Sequence, residues 1–293
     1  MRNSHLEVQA TVVNPPLKTA IAAKKRKLDD DVRADVDNGG ADDFDDADVL
    51  DKKRARLQKD YKVIIQKTMD ADLVWAADAL MSDPTVSIKH CNMCITHHDL
   101  STLIPGRRLN DEIINFYLKV IIPHPDVYVY TTFFYSKLVS KGEYDYSSVK
   151  NYTKRVDIFN KRLVVFPIHR GVHWTLATYY PKKLRLRYCN SMDDVEMSQH
   201  DDIKVNLHLY LRDEWTEKKG STPPSSHTYT GSRVPQQGNG VDCGVFVCMF
   251  AVCEVNGLSM ATFTERNVAD FRRHMALTIA GVEPQNMGWL LMM

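Results

Sequence analysis

Cys243 carries the strongest chemical signal in the sequence. It lies in QQGNGVDCGVFVCMFAV, where a glycine-punctuated loop runs directly into an apolar segment that we expect to be helical. A thiol in the first turn of a helix faces the positive end of the helix dipole and unpaired backbone N–H groups, which favours the reactive thiolate. Gly244 leaves room beside the sulfur for a substrate carbonyl. The position therefore predicts a nucleophile for acyl transfer.

A thiolate nucleophile also needs an imidazole that pairs with it and later protonates the leaving amine. Among the eleven histidines, His173 is the best candidate, because it opens a predicted strand beside Trp174, after the tight turn HRG. An arbitrary histidine or cysteine is more often structural than catalytic. Two isolated residues therefore establish little, and the case depends on the rest of the sequence.

The elements that must position these side chains alternate between helical and strand-like patterns from about residue 95 onward. Asn110 can cap a helix over residues 109–122, whose apolar side chains fall on one stripe. The turns HRG and PKK separate three runs with the composition of strands. The predicted strands are residues 162–168, 173–180 and 184–188, and the further predicted helices are residues 195–216, 243–256 and 262–280. This mixture predicts an α+β fold.

Residues 1–58 differ from the rest of the chain. A basic run of Lys24, Lys25, Arg26 and Lys27 precedes an Asp-rich tract that ends at Asp51, and a second basic cluster follows at residues 52–56. Apolar residues are too sparse there to offset the entropy of ordering the chain, which predicts a disordered charged arm. Residues 59–94 follow as a predicted linker, whose apolar positions between 61 and 81 permit a helix.

The KKRK run at residues 24–27 is typical of a nuclear import address that an acidic receptor groove binds. It predicts a nuclear location and an import receptor as a partner, and it leaves a cytoplasmic pool open. A charge run that is merely solvated is the alternative interpretation.

The net charge, the lengths of the apolar runs and the N-terminal segment argue against several other classes of protein. The formal net charge of +1 gives no support to direct nucleic-acid binding. No window approaches the roughly 18 to 20 apolar residues of a membrane span. The start MRNSHLEVQA lacks the pattern of a signal peptide, so we expect a soluble monomer whose six cysteines are thiols in a reducing compartment.

Six segments in order resemble the ubiquitin-like-protein-specific protease family, also called the sentrin-specific or SUMO proteases. They are LNDEIINFYLKVI, TTFFYSKL, VKNYTKRVDIFNKRLVVFPIHRGVHWTLATYY, YCNSM, VPQQGNGVDCGVFVCMFAV and FRRHMALTIAG. The similarity covers about residues 95–281, and the PQQGNGVDCG block with HW upstream is far more specific than a single motif. The resemblance implies a papain-like fold with a central mixed sheet flanked by helices, in a protease domain at residues 95–293.

The resemblance also implies roles for particular residues. Cys243 matches the nucleophile and His173 the base. Gln237 matches a glutamine whose side-chain amide stabilises the oxyanion of the tetrahedral intermediate. Trp174 matches a wall of the narrow tunnel that admits the Gly-Gly tail of the modifier, and Asp111 matches a contact to a basic residue of the modifier.

The third member of the triad departs from the family, because Asn190 in YCNSM stands where an aspartate is usual. An asparagine oxygen still accepts a hydrogen bond from the imidazole but contributes no charge. Cysteine depends less on its base than serine does, since its thiolate is accessible near neutral pH. We therefore expect activity, at full or reduced rate, with Asp193 and Asp194 as alternative carboxylates.

Arg108 is the second departure, because the family usually has another tunnel tryptophan at this position. A planar guanidinium can stack over a glycine peptide or over Trp174, or it can leave one wall of the tunnel open. The substitution bears more on Gly-Gly selectivity than on proteolysis.

Other cysteines and histidines do not compete with Cys243. Cys91, Cys94, His97 and His98 in CNMCITHH invite a zinc assignment, but structural zinc sites usually separate their ligand pairs by a dozen residues or more. We expect no metal and no cofactor. Cys248 and Cys253 are predicted to pack in the core and Cys189 to lie in a buried strand.

Three hypotheses follow from the sequence. The leading one is a nuclear cysteine isopeptidase that removes SUMO from lysines or trims SUMO precursors. The second is a modifier-binding module whose chemistry the departures at Asn190 and Arg108 have compromised. The third is the same scaffold acting on another tag such as NEDD8, or transferring an acetyl group. The sequence leaves open the modifier, the balance of maturation and deconjugation, and the partners of the arm.

Overall fold

A computed structural model describes residues 9–12, 71–90, 92–122, 125–192, 197–224, 228–231, 234–260 and 263–281. The helices are α1 (Ala71–Ser82), α2 (His97–Leu100), α3 (Asp111–Ile121), α4 (Phe133–Leu138), α5 (Met197–Lys219), α6 (Cys243–Asn256) and α7 (Val268–Ile279). The strands are β1 (Gln9–Val12), β2 (Ser87–His90), β3 (Met93–Thr96), β4 (Val127–Val129), β5 (Val139–Ser140), β6 (Glu143–Tyr144), β7 (Leu163–Arg170), β8 (His173–Tyr180), β9 (Arg185–Cys189) and β10 (Thr228–Gly231).

The chain divides into two units, of which one comprises residues 1–121 and 262–293 and the other residues 122–261. Several sequence predictions fall on residues that the structure does not describe. These are the basic runs at 24–27 and 52–56, Cys91, Asp193 and Asp194.

The first unit contains a three-stranded antiparallel sheet in the order β1-β2-β3, with α1 packed against α7. Ala77, Leu80 and Met81 of α1 are fully buried, and Asp78 receives a hydrogen bond of 2.9 Å from the Arg273 guanidinium of α7. The segment that the sequence assigned to a linker is therefore packed from residue 71 onward, because its apolar positions pack against a helix far along the chain.

Strand β1 is the one part of the arm predicted at residues 1–58 that the structure describes, and the other residues of the arm lie outside the described ranges. Its Gln9 pairs with Lys89 and its Ala10 with Ile88 in antiparallel register on β2. The backbone N–H and C=O groups of an edge strand need hydrogen-bond partners, which a second strand supplies. Local composition gave no sign of this pairing, since the partner lies almost 80 residues away.

The start of α3 confirms the predicted cap. The Asn110 side-chain oxygen accepts a hydrogen bond from the Ile113 N–H at 3.1 Å, which satisfies one of the unpaired donors of the first turn. The Asn110 side-chain nitrogen donates to Asp99 at 2.8 Å, and Asp99 also accepts from the Thr96 backbone N–H. The described side chains of the predicted apolar stripe are buried, namely Ile113, Ile114, Tyr117, Leu118 and Ile122.

The second unit contains a five-stranded mixed sheet in the order β10-β9-β8-β7-β4. The two inner pairs, β7 with β8 and β8 with β9, are antiparallel, whereas β10 pairs with β9 and β4 pairs with β7 in parallel. The three predicted strands are confirmed within two residues at each end. Between β7 and β8 the chain turns at Gly171 and Val172, and Gly171 has a φ of 62°, a left-handed conformation that favours glycine. The other two residues of the predicted turn HRG, His169 and Arg170, are instead the last residues of β7.

Helix α6 lies against β8 and β7 and is buried on all sides, from Cys243 to Val255. Continuous apolar character around a helix is typical of this central position. The predictions that Cys248, Cys253 and Cys189 are buried are confirmed. Within the part of the chain that the structure describes, no helix is long and apolar enough to cross a membrane.

The opposite face of the sheet packs against α4 and α5. Val164, Phe166 and Ile168 alternate along β7 and join Phe134 of α4 and Leu207 of α5 in one apolar cluster. Helices thus cover both faces of the sheet, and this arrangement confirms the α+β fold with a central mixed sheet.

Candidate active site

His173 and Asn190 meet at one edge of the sheet. His173 is the first residue of β8, and Asn190 directly follows β9, which is the antiparallel neighbour of β8. The His173 Nε2 and Asn190 Oδ1 atoms are 2.6 Å apart. The structure therefore brings together two residues that the sequence paired only by resemblance.

The hydrogen bonds of Asn190 fix which end of its amide faces the imidazole. The Asn190 side-chain nitrogen donates to the Met192 carbonyl oxygen at 2.6 Å, and a carbonyl can only accept. The other end, Oδ1, accepts from the Met192 N–H at 3.1 Å and faces His173. Because Oδ1 cannot donate, His173 Nε2 must carry the proton in this contact, and the neutral ring then has its acceptor at Nδ1.

Asn190 is only 5% exposed, whereas His173 is half-buried at the surface. Burial lowers the local dielectric and strengthens the hydrogen bond between them. The neighbouring Gln236 side chain donates to the Asn190 backbone carbonyl at 3.1 Å. An oriented imidazole whose other nitrogen is an acceptor can take a proton from a thiol or a water.

Cys243 is the first residue of α6 and is 1% exposed. The preceding loop is shaped by Asn239, whose side-chain oxygen accepts from the Val241 and Asp242 N–H groups at 2.9 and 3.1 Å. The Asn239 side-chain nitrogen donates to the Asp242 carboxylate at 2.7 Å. This Asx turn directs the chain into α6, so the predicted location of Cys243 in the first helical turn is confirmed.

Gln237 links the loop before α6 to the segment after β9. Its backbone N–H donates to the Ser191 carbonyl at 2.9 Å, and its side-chain oxygen accepts from the Ser191 hydroxyl at 2.6 Å. Its side-chain nitrogen donates to the Asn239 carbonyl at 2.5 Å. The donor end of the Gln237 amide therefore faces the loop that leads to Cys243.

Trp174 is 4% exposed, and its ring stacks on the His169 ring with centroids 4.2 Å apart. His169 is its direct cross-strand partner in the hairpin of β7 and β8. Stacking on His169, which was not predicted to be part of the site, therefore restricts the orientation of the indole ring. A two-residue turn at Gly171 and Val172 would have paired Arg170 with His173 and His169 with Trp174, but the prediction that HRG is the turn left His169 outside the strand.

Arg108 and Asp111 belong to the first unit. Arg108 is exposed and Asp111 is half-buried at the start of α3. Their assignment to modifier binding stays a prediction. A buried guanidinium orders the turn before α3, because Arg272 donates to the carbonyls of Thr102 and Arg107 at 3.0 and 2.8 Å.

Residues 93–98 of the motif CNMCITHH lie on β3 and α2 of the same unit, and Cys91 lies outside the described residues. Cys94 is exposed on β3 with its sulfur 3.5 Å from the Ser87 hydroxyl, and His97 begins α2. Within the described ranges, no group of three or more histidine, cysteine, aspartate or glutamate side chains is arranged to hold a metal ion.

The sequence analysis missed three residues of the site: Ser191, Gln236 and Asn239. Each acts through hydrogen bonds to the backbone or side chain of a named site residue. The asparagine between two glycines in GNGVD is a turn signal that would have indicated Asn239. The contact of Ser191 depends on the meeting of two distant segments and has no local signal.

A thiol at the start of a buried helix and an imidazole oriented by an amide oxygen are the working parts of a cysteine peptidase. Residues 107–282 match the family model described as the Ulp1 protease family, C-terminal catalytic domain. The chain belongs to the Ulp1 protease family.

Curated relatives agree with this assignment. The chain is 36% identical over 195 residues to sentrin-specific protease 2 of Homo sapiens and 36% identical over 195 residues to a sentrin-specific protease of Caenorhabditis elegans. Each alignment covers 63% of this chain, but only 32% of the human and 27% of the nematode protein. The similarity is therefore confined to about a third of the relatives' length.

Solved structures show the same fold. A crystal structure of the C-terminal Ulp1 protease domain in complex with Smt3, the yeast ortholog of SUMO, has a TM-score of 0.65 and 25% identity. The superposed region covers 74% of this chain and 98% of the Ulp1 chain. A structure of the SUMO protease Ulp1 with its catalytic cysteine oxidised to a sulfenic acid has a TM-score of 0.66 and 26% identity.

Proposed function

We propose that this protein is a SUMO-specific cysteine protease that removes SUMO from lysine side chains and trims SUMO precursors. The observation that carries the proposal is the geometry of Cys243 at the start of α6 together with the oriented pair of His173 and Asn190. Membership of the Ulp1 family and the likeness to a protease domain solved with a SUMO ortholog support the choice of modifier.

The proposed reaction begins at the neutral imidazole. His173 Nδ1 takes the proton of the Cys243 thiol, and the imidazolium that forms is held by the Asn190 oxygen at Nε2. The Cys243 sulfur attacks the carbonyl carbon of the terminal glycine of the modifier, and the carbonyl oxygen becomes negative. The Cys243 backbone N–H and the Gln237 side chain donate hydrogen bonds to this oxygen.

The tetrahedral intermediate collapses when its C–N bond breaks. His173 gives its proton to the leaving amine, which departs as a free lysine or as the C-terminal fragment of a precursor, and a thioester on Cys243 remains. His173 then takes a proton from water, and the hydroxide attacks the thioester carbonyl. The C–S bond of the second tetrahedral intermediate then breaks, and His173 returns its proton to the departing sulfur, which restores the thiol of Cys243. The modifier leaves with a free carboxyl group, which loses its proton to water.

Turnover of isopeptide-linked substrates tests the proposal. We expect release of SUMO from a SUMO–lysine conjugate and no release from matched NEDD8 and ubiquitin conjugates. Turnover of the NEDD8 conjugate alone would assign the protein to another modifier. SUMO binding without turnover would identify a binding module whose chemistry is lost, as the departures at Asn190 and Arg108 allow.

We also propose a nuclear location, imported through Lys24, Lys25, Arg26 and Lys27, with the protease acting as a monomer. Support comes from the basic sequence of this run. A fluorescent fusion is expected to concentrate in the nucleus, and replacement of the four basic residues by alanine is expected to release it to the cytoplasm. An unchanged distribution would remove the import proposal.

A further inference from the structure

Ser191 makes two hydrogen bonds to the same residue, Gln237. Its hydroxyl is 2.6 Å from the Gln237 side-chain oxygen, and its carbonyl accepts from the Gln237 N–H at 2.9 Å. Ser191 is 1% exposed, so these contacts form away from competing water. A buried serine that holds both the backbone and the side chain of one residue restricts the orientation of that side chain.

The direction of each bond follows from the groups involved. The Asn239 carbonyl can only accept, so the Gln237 atom 2.5 Å from it must be the amide nitrogen. The amide oxygen then faces Ser191, and the Ser191 hydroxyl must donate. The amide is thus held at both ends in one of its two orientations.

This orientation matters for the charge that develops in the reaction. An amide nitrogen carries two hydrogens, of which one is donated to Asn239. The second can bind the oxyanion formed when Cys243 attacks a carbonyl. The reversed amide would present its oxygen to a negative oxygen and to the Asn239 carbonyl, and both contacts would be repulsive.

Ser191 is also the neighbour of Asn190, which orients His173. The three residues that follow β9 therefore hold the base on one side and the Gln237 loop on the other. The Gln236 side chain, which donates to the Asn190 carbonyl at 3.1 Å, adds a second link between the same two segments.

We propose that Ser191 is a positioning residue that fixes the Gln237 amide with its N–H end towards the oxyanion site. The inference rests on the proposed function for its catalytic consequence. Ser191 itself touches neither the substrate nor the reacting atoms.

Kinetics of matched variants test the catalytic consequence. Loss of an oxyanion-hole donor costs about 10²- to 10³-fold in kcat, so we expect about that loss for Gln237→Ala and about a 10-fold loss for Ser191→Ala, with KM nearly unchanged. Ser191→Thr, which keeps the hydroxyl, is expected to recover most of the rate. Ser148→Ala is the control for loss of a serine hydroxyl, because the exposed Ser148 hydroxyl donates to the Lys137 and Asp145 carbonyls at 2.7 and 2.8 Å.

The double variant Ser191→Ala/Gln237→Ala discriminates positioning from a general structural effect. If Ser191 acts through Gln237, the double variant is as slow as Gln237→Ala alone. Alkylation of Cys243 by iodoacetamide forms no oxyanion, so its rate is expected to be the same in Ser191→Ala and wild type. A wild-type kcat for Ser191→Ala, or multiplied losses in the double variant, would overturn the proposal.

A measurement without substrate separates this proposal from the proposed function. In ¹⁵N relaxation spectra, the Gln237 side-chain amide is expected to be rigid in wild type and in Ser191→Thr, and mobile in Ser191→Ala. An equally rigid amide in Ser191→Ala would overturn the positioning role whether or not the wild type cleaves SUMO. Absence of SUMO cleavage by a wild type with this amide behaviour would instead overturn only the proposed function.

Discussion

The two ends of α6 have opposite effects on a nearby negative charge, because the helix dipole is positive at the first residue and negative at the last. At its first residue, Cys243 faces the positive end of the helix dipole, and the side chains that orient the site, Asn190, Ser191 and Gln237, are all neutral. In its last turn, Glu254 is 3% exposed at the negative end of the dipole. The same helix therefore favours a thiolate at one end and disfavours a carboxylate at the other.

The buried carboxylate of Glu254 is stabilised by a cation and a hydroxyl group from the neighbouring strands. Its carboxylate forms an ion pair with Arg187 of β9 and accepts a hydrogen bond from the Tyr180 hydroxyl of β8. Burial raises the pKa of Tyr180 well above its usual value, and the nearby charge of Glu254 raises it further, so the hydroxyl stays a donor. A carboxylate opposed to the helix dipole is thus held by a permanent cation, Arg187, whereas the thiolate aligned with the dipole would form beside an imidazole that becomes cationic only when it takes the thiol proton.

The largest expected effect concerns the favoured end. Replacement Cys243→Ala removes the nucleophile, and loss of a covalent nucleophile costs on the order of 10⁶-fold in kcat. Cleavage of a SUMO–lysine conjugate measures the loss, with thermal unfolding of the variant as the control for folding. Residual turnover close to wild type would show that another residue is the nucleophile.

The second prediction concerns Glu254 at the C-terminal end of α6. The replacement Glu254→Ala leaves the Arg187 guanidinium without its carboxylate partner. Removal of one partner of a buried ion pair costs about 3–5 kcal/mol, and because the Arg187 side chain is 26% exposed we expect about 2–3 kcal/mol. Urea denaturation measures the change in the free energy of unfolding. A smaller loss in the free energy of unfolding for Glu254→Ala, equal to the loss for Glu254→Gln, would contradict this prediction. It would mean that the ion pair between Glu254 and Arg187 contributes little to stability.

Asn190→Ala removes the neutral group that orients His173. General acid–base catalysis contributes about 10²- to 10⁴-fold, and we expect loss of orientation to forfeit about 10- to 100-fold of it in kcat. The variant is expected to leave the affinity for SUMO unchanged in a binding assay. An unchanged kcat would show that the third member of the triad has been misplaced.

His274, a buried histidine of the first unit, is expected to make the stability of the fold sensitive to acid without taking part in catalysis. Burial among Tyr117, Phe271 and Thr278 lowers the pKa of His274 from 6.5 to about 3. Because the folded state binds its proton less readily than the unfolded state, the stability that neutral His274 contributes is present above pH 6.5 and is lost as the pH falls towards 3. Each pH unit in this window costs up to about 1.4 kcal/mol.

Replacement His274→Gln is therefore expected to flatten the dependence of the free energy of unfolding on pH between 6.5 and 4, measured by urea denaturation at each pH. The activity profile of the variant at pH values where both proteins are folded is expected to match the wild type. Equal acid sensitivity of the two proteins would show that His274 is not the group responsible.

The smallest effect is expected for Asn190→Asp. A carboxylate in place of the amide adds charge stabilisation for the imidazolium but keeps the acceptor for Nε2, so we expect a change in kcat within about 10-fold. A larger change in either direction would show that the site depends on the neutral amide at position 190.

Sequence patterns predicted the parts of the fold that depend on local periodicity. The apolar run after Cys243 predicted α6 with its observed bounds, and Asn110 predicted the start of α3. Strand β1 and the packing of α1 against α7 escaped prediction, because each depends on a partner distant in sequence.

The candidate site shows the same division. Cys243 was placed at a helix start by its own neighbours, whereas the pairing of His173 with Asn190 came from resemblance, because β8 and β9 must first align. Ser191 and Gln236 were missed because their contacts join segments about 46 residues apart.

Covalent capture of Cys243 by a modifier probe identifies the nucleophile and the modifier in one measurement. The purified protein would be incubated with SUMO that carries a thiol-reactive group at its C-terminus, beside NEDD8 and ubiquitin probes and a Cys243→Ala control, and the modified peptide would be located by mass spectrometry. We expect an adduct with the SUMO probe alone, on Cys243, and none in the variant. An adduct on another cysteine, or no adduct with any probe, would contradict this expectation.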